Sequence, residues 1–291
     1  MSENRVLYVP SVTTHMIESC HVTQTYQVQV MQPLMLQEGT ERFPVLYLTD
    51  GNLSFDFCKG IAHCLQSTGR VARFILVGIG YPGESPFAGD LLRCRDLTPA
   101  DRPEIAGIPD DSPIAGVSGF GASKKWGGAA QFLSFIEHEL IPLVDATYPT
   151  IPGERGYFGH SLGGAFGLHV LFSHSPLFMK YILSSPGICH AGDEYGLKEA
   201  HRYIASESAR QAALFMSVGD QEEFEPDFER SMLVSSFYRL SALLRKAHLQ
   251  QLELHTRVFQ GETHLGVWPV AFSHGIQALY RAEQPEASSR P

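Results

Sequence analysis

"ERGYFGHSLGGAFGLHVLF", residues 154–172, passes from an apolar segment through a serine between glycines into a second apolar segment. Gly159, His160, Ser161, Leu162 and Gly163 spell G-x-S-x-G. A nucleophilic serine on a sharp strand-to-helix turn sits in a strained backbone conformation, and neighbouring side chains must be absent for the turn to close. The stretch therefore reads as a strand running into the serine and a helix leaving it. Gly163, Gly164 and Gly167 would let that helix lie close to a sheet. At its N-terminus the Leu162 N–H can serve as one donor to a developing oxyanion.

The segments on either side support a sheet. "FPVLYLTD" (43–50), "ARFILVGIGY" (72–81), "KYILSSPG" (180–187), "AALFMSVGD" (212–220) and "LELHTRVFQG" (252–261) are short, nearly continuously hydrophobic and closed by Gly, Pro or Asp. Such runs are expected of strands buried on both faces of a parallel sheet. Helical periodicity lies between them. Residues 128–148 place Phe132, Phe135, Ile136, Leu140, Leu143 and Val144 at three- and four-residue steps, with a kink or early end expected at Pro142. Residues 226–248 open with Pro226 and Asp227 and put Phe228, Met232, Leu233, Phe237, Leu240 and Leu244 on one face. Strands alternating with helices need crossovers that cover both faces, so the expected class is α/β with a mostly parallel central sheet.

Two regions break the alternation. Residues 12–32, with "HVTQTYQVQVMQ", read as an antiparallel strand at one sheet edge. Residues 82–127 are rich in Gly, Pro and Asp with little periodicity, and a loop this long in a compact domain reads as a cap over a pocket. Tyr81, Phe87, Phe120, Trp126 and, further on, Trp268 could line that pocket or serve as the cap's own core. The expected organisation is one domain over 1–283 and a flexible tail at 284–291.

A nucleophilic serine needs a base, and in a fold of this kind the order along the chain is Ser, acid, His. Of 13 histidines, His264 lies in "FQGETHLGVWP", directly after the last strand. His255 falls inside that strand, His248 precedes it, and His274 belongs to a terminal helical pattern. His160 adjoins the serine but points elsewhere in a tight turn, so packing or hydrogen bonding suits it better than proton transfer. The acid belongs at the end of "SVGDQEEFEP", where Asp220, Glu222 and Glu223 all qualify. Acids before a helix also complement its dipole, so at least two of them need no other role.

With 291 residues, 44% hydrophobic and 18% charged, the chain can build a large core. Its net charge of -9 without a basic block leaves no footprint for nucleic acid. No apolar run of about 18 residues is present to span a bilayer, and "MSENRVLYVPSVTTH" lacks the pattern of a secretion signal. A cytoplasmic location is expected. Cysteines 20, 58, 64, 94 and 189 form no C-x-x-C pair, which argues for reduced thiols in small buried apolar roles. His169 and His174, five apart on a helix, lack ligand-pair spacing, so no metal and no cofactor are expected.

Taken in order, "VLYLTDGN", "RDLTP", "GGAAQFLSFIEHELIPLVDATYP", "GHSLGG", "LSSPG" and "GETHLGVWP" resemble the putative-esterase branch of the α/β-hydrolases. That branch includes ferric-enterobactin and related siderophore esterases, feruloyl esterases, S-formylglutathione hydrolases and mycolyltransferases. The likeness covers the chain from about residue 43 onward and is strongest, through "RDLTP" and Gly-Glu-x-His, to the siderophore-esterase subgroup. It implies an α/β-hydrolase fold, Ser161 as nucleophile, His264 as base and Leu162 as one oxyanion donor. Its mycolyltransferase members imply Asn52 as the second donor, and the arginine of "RDLTP" implies a substrate contact for Arg95, with Arg93 close by. Feruloyl-type members imply Glu222 as the acid, whereas some siderophore-type members imply a Ser-His dyad. The expected activity is hydrolysis of a small-molecule carboxylic ester through an acyl-enzyme. Acyl or thioester transfer by the same machinery is the alternative, and a non-catalytic binding module the remaining one.

Overall fold

The computed structural model describes residues 11–33, 41–83, 89–99, 127–189, 194–206, 210–226, 228 and 231–282. Its centre is an eight-stranded sheet in the order β1-β2-β4-β3-β5-β6-β7-β8. The strands are β1 (Val12–Ser19), β2 (Gln24–Met31), β3 (Phe43–Leu48), β4 (Ile75–Gly80), β5 (Thr150–His160), β6 (Lys180–Ser184), β7 (Ala212–Gly219) and β8 (Leu252–Phe259). From β4 through β8 all neighbours are parallel, while β1 and β2 add antiparallel at one edge.

The runs that look uniformly hydrophobic sort by alternation onto two faces. Val45, Tyr47, Tyr157, Leu183, Leu214 and Met216 pack into one core. Leu46, Leu48, Phe158, Ile182 and Phe215 pack into the other. On the second face lie α1 (Gly51–Ser67), through Phe55, Cys58 and Ala62, and the last helix, α8 (Val267–Leu279), through Ala271, Phe272 and Ile276. The first face carries α3 (Ala129–Phe135), α4 (Ile141–Thr147), α5 (Leu162–Phe172), α6 (Tyr195–Ala205) and α7 (Leu233–Ala247). A short helix, α2 (Asp90–Asp96), follows β4. No described helix is long and apolar enough to cross a membrane.

Several local expectations need correction. Residues 12–32 form a hairpin of two strands, because Thr23 takes a left-handed conformation (φ 54°) and turns the chain without glycine or proline. Pro142 does not end its helix, which runs on to Thr147. A π-helical turn, Ile136–Leu140, joins α3 to α4 and widens the backbone just where the proline ring would meet the carbonyl four residues back. The helix expected from residue 226 starts only at Leu233, after Met232 at φ 47°, so Phe228 belongs to a preceding turn. His174 lies past the end of α5. Cys20 and Cys64 are exposed rather than buried. Most of the expected cap at 82–127, with Phe87, Phe120 and Trp126, falls outside the described residues, as does the tail at 284–291. Within that cap, α2 gives residues 90–96 a helical structure that the sequence did not signal.

Candidate active site

The C-terminal ends of β3 to β8 share one edge of the sheet, and in open α/β sheets that edge collects the loops that bind and react. Ser161 stands there between β5 and α5 with φ 57° and ψ -114°, a conformation that costs a non-glycine residue roughly 1–3 kcal/mol. The surroundings hold it in place. Ser161 N–H donates to Ser184 O (3.0 Å), and Ser161 O accepts from the N–H groups of Ala165 (2.9 Å) and Gly187 (3.2 Å). The glycines are required by close approach: a Cβ on Gly159 would sit 2.3 Å from Gly163 O, and one on Gly163 would sit 2.6 Å from Thr49 Oγ1.

The second contact joins the serine turn to the loop after β3. Tyr157 Oη donates to Gly163 O (2.9 Å) and is 2.9 Å from Thr49 Oγ1. Two helix N-termini thereby meet. Leu162 is the first residue of α5 and Asn52 the second residue of α1, so each backbone N–H precedes the point where its helix supplies an acceptor. Asn52 is pinned through its side chain, with Nδ2 donating to Tyr81 O and Oδ1 accepting from Tyr81 N, both at 2.7 Å. Asp50, at φ 58°, takes a bidentate ion pair from Arg93, Nε to Oδ1 at 2.6 Å and Nη2 to Oδ2 at 2.9 Å. Burial opposes the charge on Arg93, but the Asp50 carboxylate outweighs it and pushes the guanidinium above its usual range.

The three candidate acids separate cleanly. Glu222 is fully buried and its Oε2 is 2.7 Å from His264 Nδ1. Its other oxygen, Oε1, accepts from Ser185 Oγ and Gly219 N, both at 2.6 Å. Asp220 instead accepts from the Gly261 N–H (2.7 Å), closing the turn after β8, and Glu223 accepts from Ser235 N (2.5 Å) at the start of α7. A fourth acid, Glu225, accepts from the His264 backbone N–H (2.6 Å) and fixes the histidine loop.

His264 is 3% exposed and packs against two rings, each tilted to it by about 40°. Phe228 lies at 4.0 Å between centroids and His160 at 4.4 Å, and Trp268 stacks behind His160 at 4.5 Å with 17° between planes. His160 Nδ1 is 3.0 Å from Ser184 Oγ, and Nε2 is buried without a hydrogen-bond partner among the described residues. Burial, then the neighbouring His264 and Arg93, hold the His160 imidazole well below the ordinary histidine range, so it is neutral. Trp268 therefore stands with the histidines, whereas Tyr81 donates through its hydroxyl to the buried Asp96 (2.9 Å), as Tyr26 also does (2.6 Å).

The two arginines of "RCRD" differ. Arg93 is consumed by Asp50, whereas Arg95 donates through Nε to Asp96 Oδ1 (2.6 Å) and leaves Nη2 without a hydrogen-bond partner among the described residues. Burial works against the Arg95 charge, and the Asp96 hydrogen bond and carboxylate more than offset it. The structure thus groups Ser161, Leu162 and Asn52 at two helix N-termini, and Glu222 with His264 two strands away. His160, beside the serine and against His264, links the two groups. The sequence alone did not signal Ser185, Glu225, Phe228 or the Asp50–Arg93 pair. Ser185 lies within the "LSSPG" motif, and Arg93 carried the same chemical signal as Arg95.

Comparison with known proteins bears on what such an arrangement does. The family model described as "Putative esterase" matches residues 108–279. Among curated proteins, the chain is 26% identical over 292 residues to the ferri-bacillibactin esterase BesA of Bacillus subtilis (strain 168), covering 96% of this chain and 93% of that protein. It is 31% identical over 285 residues to the siderophore enterobactin esterase of Emericella nidulans, covering 87% and 89%. Among solved structures, the BES protein from Bacillus cereus superposes with a TM-score of 0.77 at 27% identity, covering 97% of this chain and 100% of that one.

Proposed function

The chain belongs to the putative-esterase family, with an α/β-hydrolase fold and the activity of a serine carboxylic ester hydrolase, and from that premise we propose that it cleaves a small-molecule siderophore-type ester using Ser161, His264 and Glu222. The observation that carries the assignment of residues is the Glu222–His264 hydrogen bond, buried at the strand ends beside a serine in a strained turn. In acylation, Ser161 Oγ attacks the ester carbonyl carbon while His264 Nε2 takes the hydroxyl proton. Glu222 accepts from Nδ1–H throughout, keeping the Nε2 lone pair available and offsetting the imidazolium charge. The carbonyl oxygen becomes an oxyanion between the N–H groups of Leu162 and Asn52. His264 then returns the proton to the departing alkoxide, and the C–O bond breaks. Water deprotonated by the same histidine releases the acid and restores Ser161.

A siderophore-type substrate is supported by the esterase relatives. Transfer to an acceptor other than water is not favoured, the relatives being named as esterases. A cytoplasmic location is supported by the exposed, unpaired thiols of Cys20 and Cys64. Hydrolysis of catecholate trilactones, feruloyl esters and p-nitrophenyl acyl esters, followed side by side, tests the substrate class. The trilactones should show the highest kcat/KM, and preference for simple acyl esters with no trilactone cleavage would overturn it.

A further inference from the structure

Four rings stand in a row at the histidine: Phe228, His264, His160 and Trp268, with successive centroids 4.0, 4.4 and 4.5 Å apart. Resting on the assignment of His264 as the base, we propose that Phe228 and His160 are positioning residues that clamp the two faces of its imidazole and stabilise its protonated form. One edge of that ring is engaged, Nδ1 by Glu222, and the backbone of the residue is held through its N–H by Glu225, which leaves rotation of the ring as the remaining freedom. Rotation about χ2 would carry Nε2 away from the serine, and rings on both sides oppose it.

The clamp also acts on charge. An aromatic face within about 6 Å attracts a cation, and the attraction grows where water is excluded. Within the catalytic cycle His264 is a cation while it holds the serine proton, so the Phe228 face favours the stage of highest charge. His160 can occupy the opposite side because it is neutral; a second imidazolium there would repel the first. Its Nδ1 contact with Ser184 Oγ and its stack on Trp268 hold it in that place. Among the described residues, the charged groups around the clamp are Glu222 and Glu225 on the loop after β7, Glu262 on the histidine's own loop, and Arg93 on α2, whose charge acts on His160. None of them is altered by replacing Phe228.

Phe228→Leu keeps an apolar side chain of similar bulk and removes the π face; Phe228→Tyr restores it. The titration of the His264 ring by two-dimensional NMR, and the acid limb of kcat/KM for p-nitrophenyl acetate, should both move to lower pH in Phe228→Leu by about half a unit. The plateau of kcat should fall about three- to tenfold with KM unchanged, and Phe228→Tyr should return to wild type. His160→Gln, read the same way, should displace the midpoint in the same direction. An unmoved His264 midpoint, or a change confined to KM, overturns the clamp. The NMR midpoint needs no turnover, so failure of the clamp is distinguishable from failure of the esterase assignment, which is read by fluorophosphonate labelling of the wild type.

Discussion

Glu222 and His264 are 42 positions apart in sequence, yet Glu222 Oε2 is 2.7 Å from His264 Nδ1, with side-chain exposures of 0% and 3%. A carboxylate so buried needs its remaining acceptor sites filled, and Ser185 and Gly219 fill them. The pair is therefore held from both sides. Glu222→Gln should lower kcat by about two to four orders of magnitude with modest change in KM. Asp220→Asn and Glu223→Gln should stay within a few-fold of wild type. Steady-state kinetics on p-nitrophenyl acetate checks this, and equal mild effects for all three would mean that the serine and histidine work as a dyad.

Asn52 connects the loop after β3 to β4 through two hydrogen bonds with Tyr81. Asn52→Ala keeps the backbone donor but frees the loop that aims it. A loss of kcat of about ten- to a hundredfold, with KM little altered, is expected. An unchanged kcat would separate Asn52 from the oxyanion site.

Arg95→Met should discriminate between substrates. Its Nε is on Asp96 and its Nη2 is buried without a hydrogen-bond partner among the described residues, so an anionic group of a bound substrate would supply the missing acceptor. For catecholate or carboxylate esters KM should rise about tenfold or more, while p-nitrophenyl acetate turnover stays near wild type. Equal losses on both would make Arg95 a scaffold residue.

His160 makes stability depend on pH. Its folded-state affinity for a proton is depressed by burial and by His264 and Arg93, so the unfolded chain binds the proton more readily. Stability from this group is fully present above the unfolded value of 6.5 and is lost progressively as pH falls below it. Urea midpoints at pH 8 and pH 5 should differ more for the wild type than for His160→Gln. Equal differences would contradict the assignment of a neutral buried imidazole.

What the sequence made legible, and what it did not, follows from how local each constraint is. The serine turn was readable because its sterics are local: Gly159 and Gly163 cannot carry a Cβ, and that requirement is written as a spacing. The strands were readable for a similar reason, being apolar on both faces and closed by turn residues. The hairpin at residues 12–31 was not, since its turn rests on Thr23 in a left-handed conformation rather than on glycine or proline. Phe228 was misassigned to a helix because its spacing continues the apolar pattern of α7 backward, while the chain forms a turn that packs the ring on His264. Arg93 and Arg95 are one chemical type two positions apart, and only their partners, Asp50 and Asp96, tell them apart.

The central claim is that Ser161 forms the acyl-enzyme, and the most direct measurement is peptide mapping of the wild type and Ser161→Ala after reaction with a fluorophosphonate. A single adduct on the peptide containing Ser161, absent from Ser161→Ala together with about four or more orders of magnitude of esterase turnover, is the predicted result. No adduct on the wild type, an adduct on another serine such as Ser185, or near-normal turnover by Ser161→Ala would contradict it.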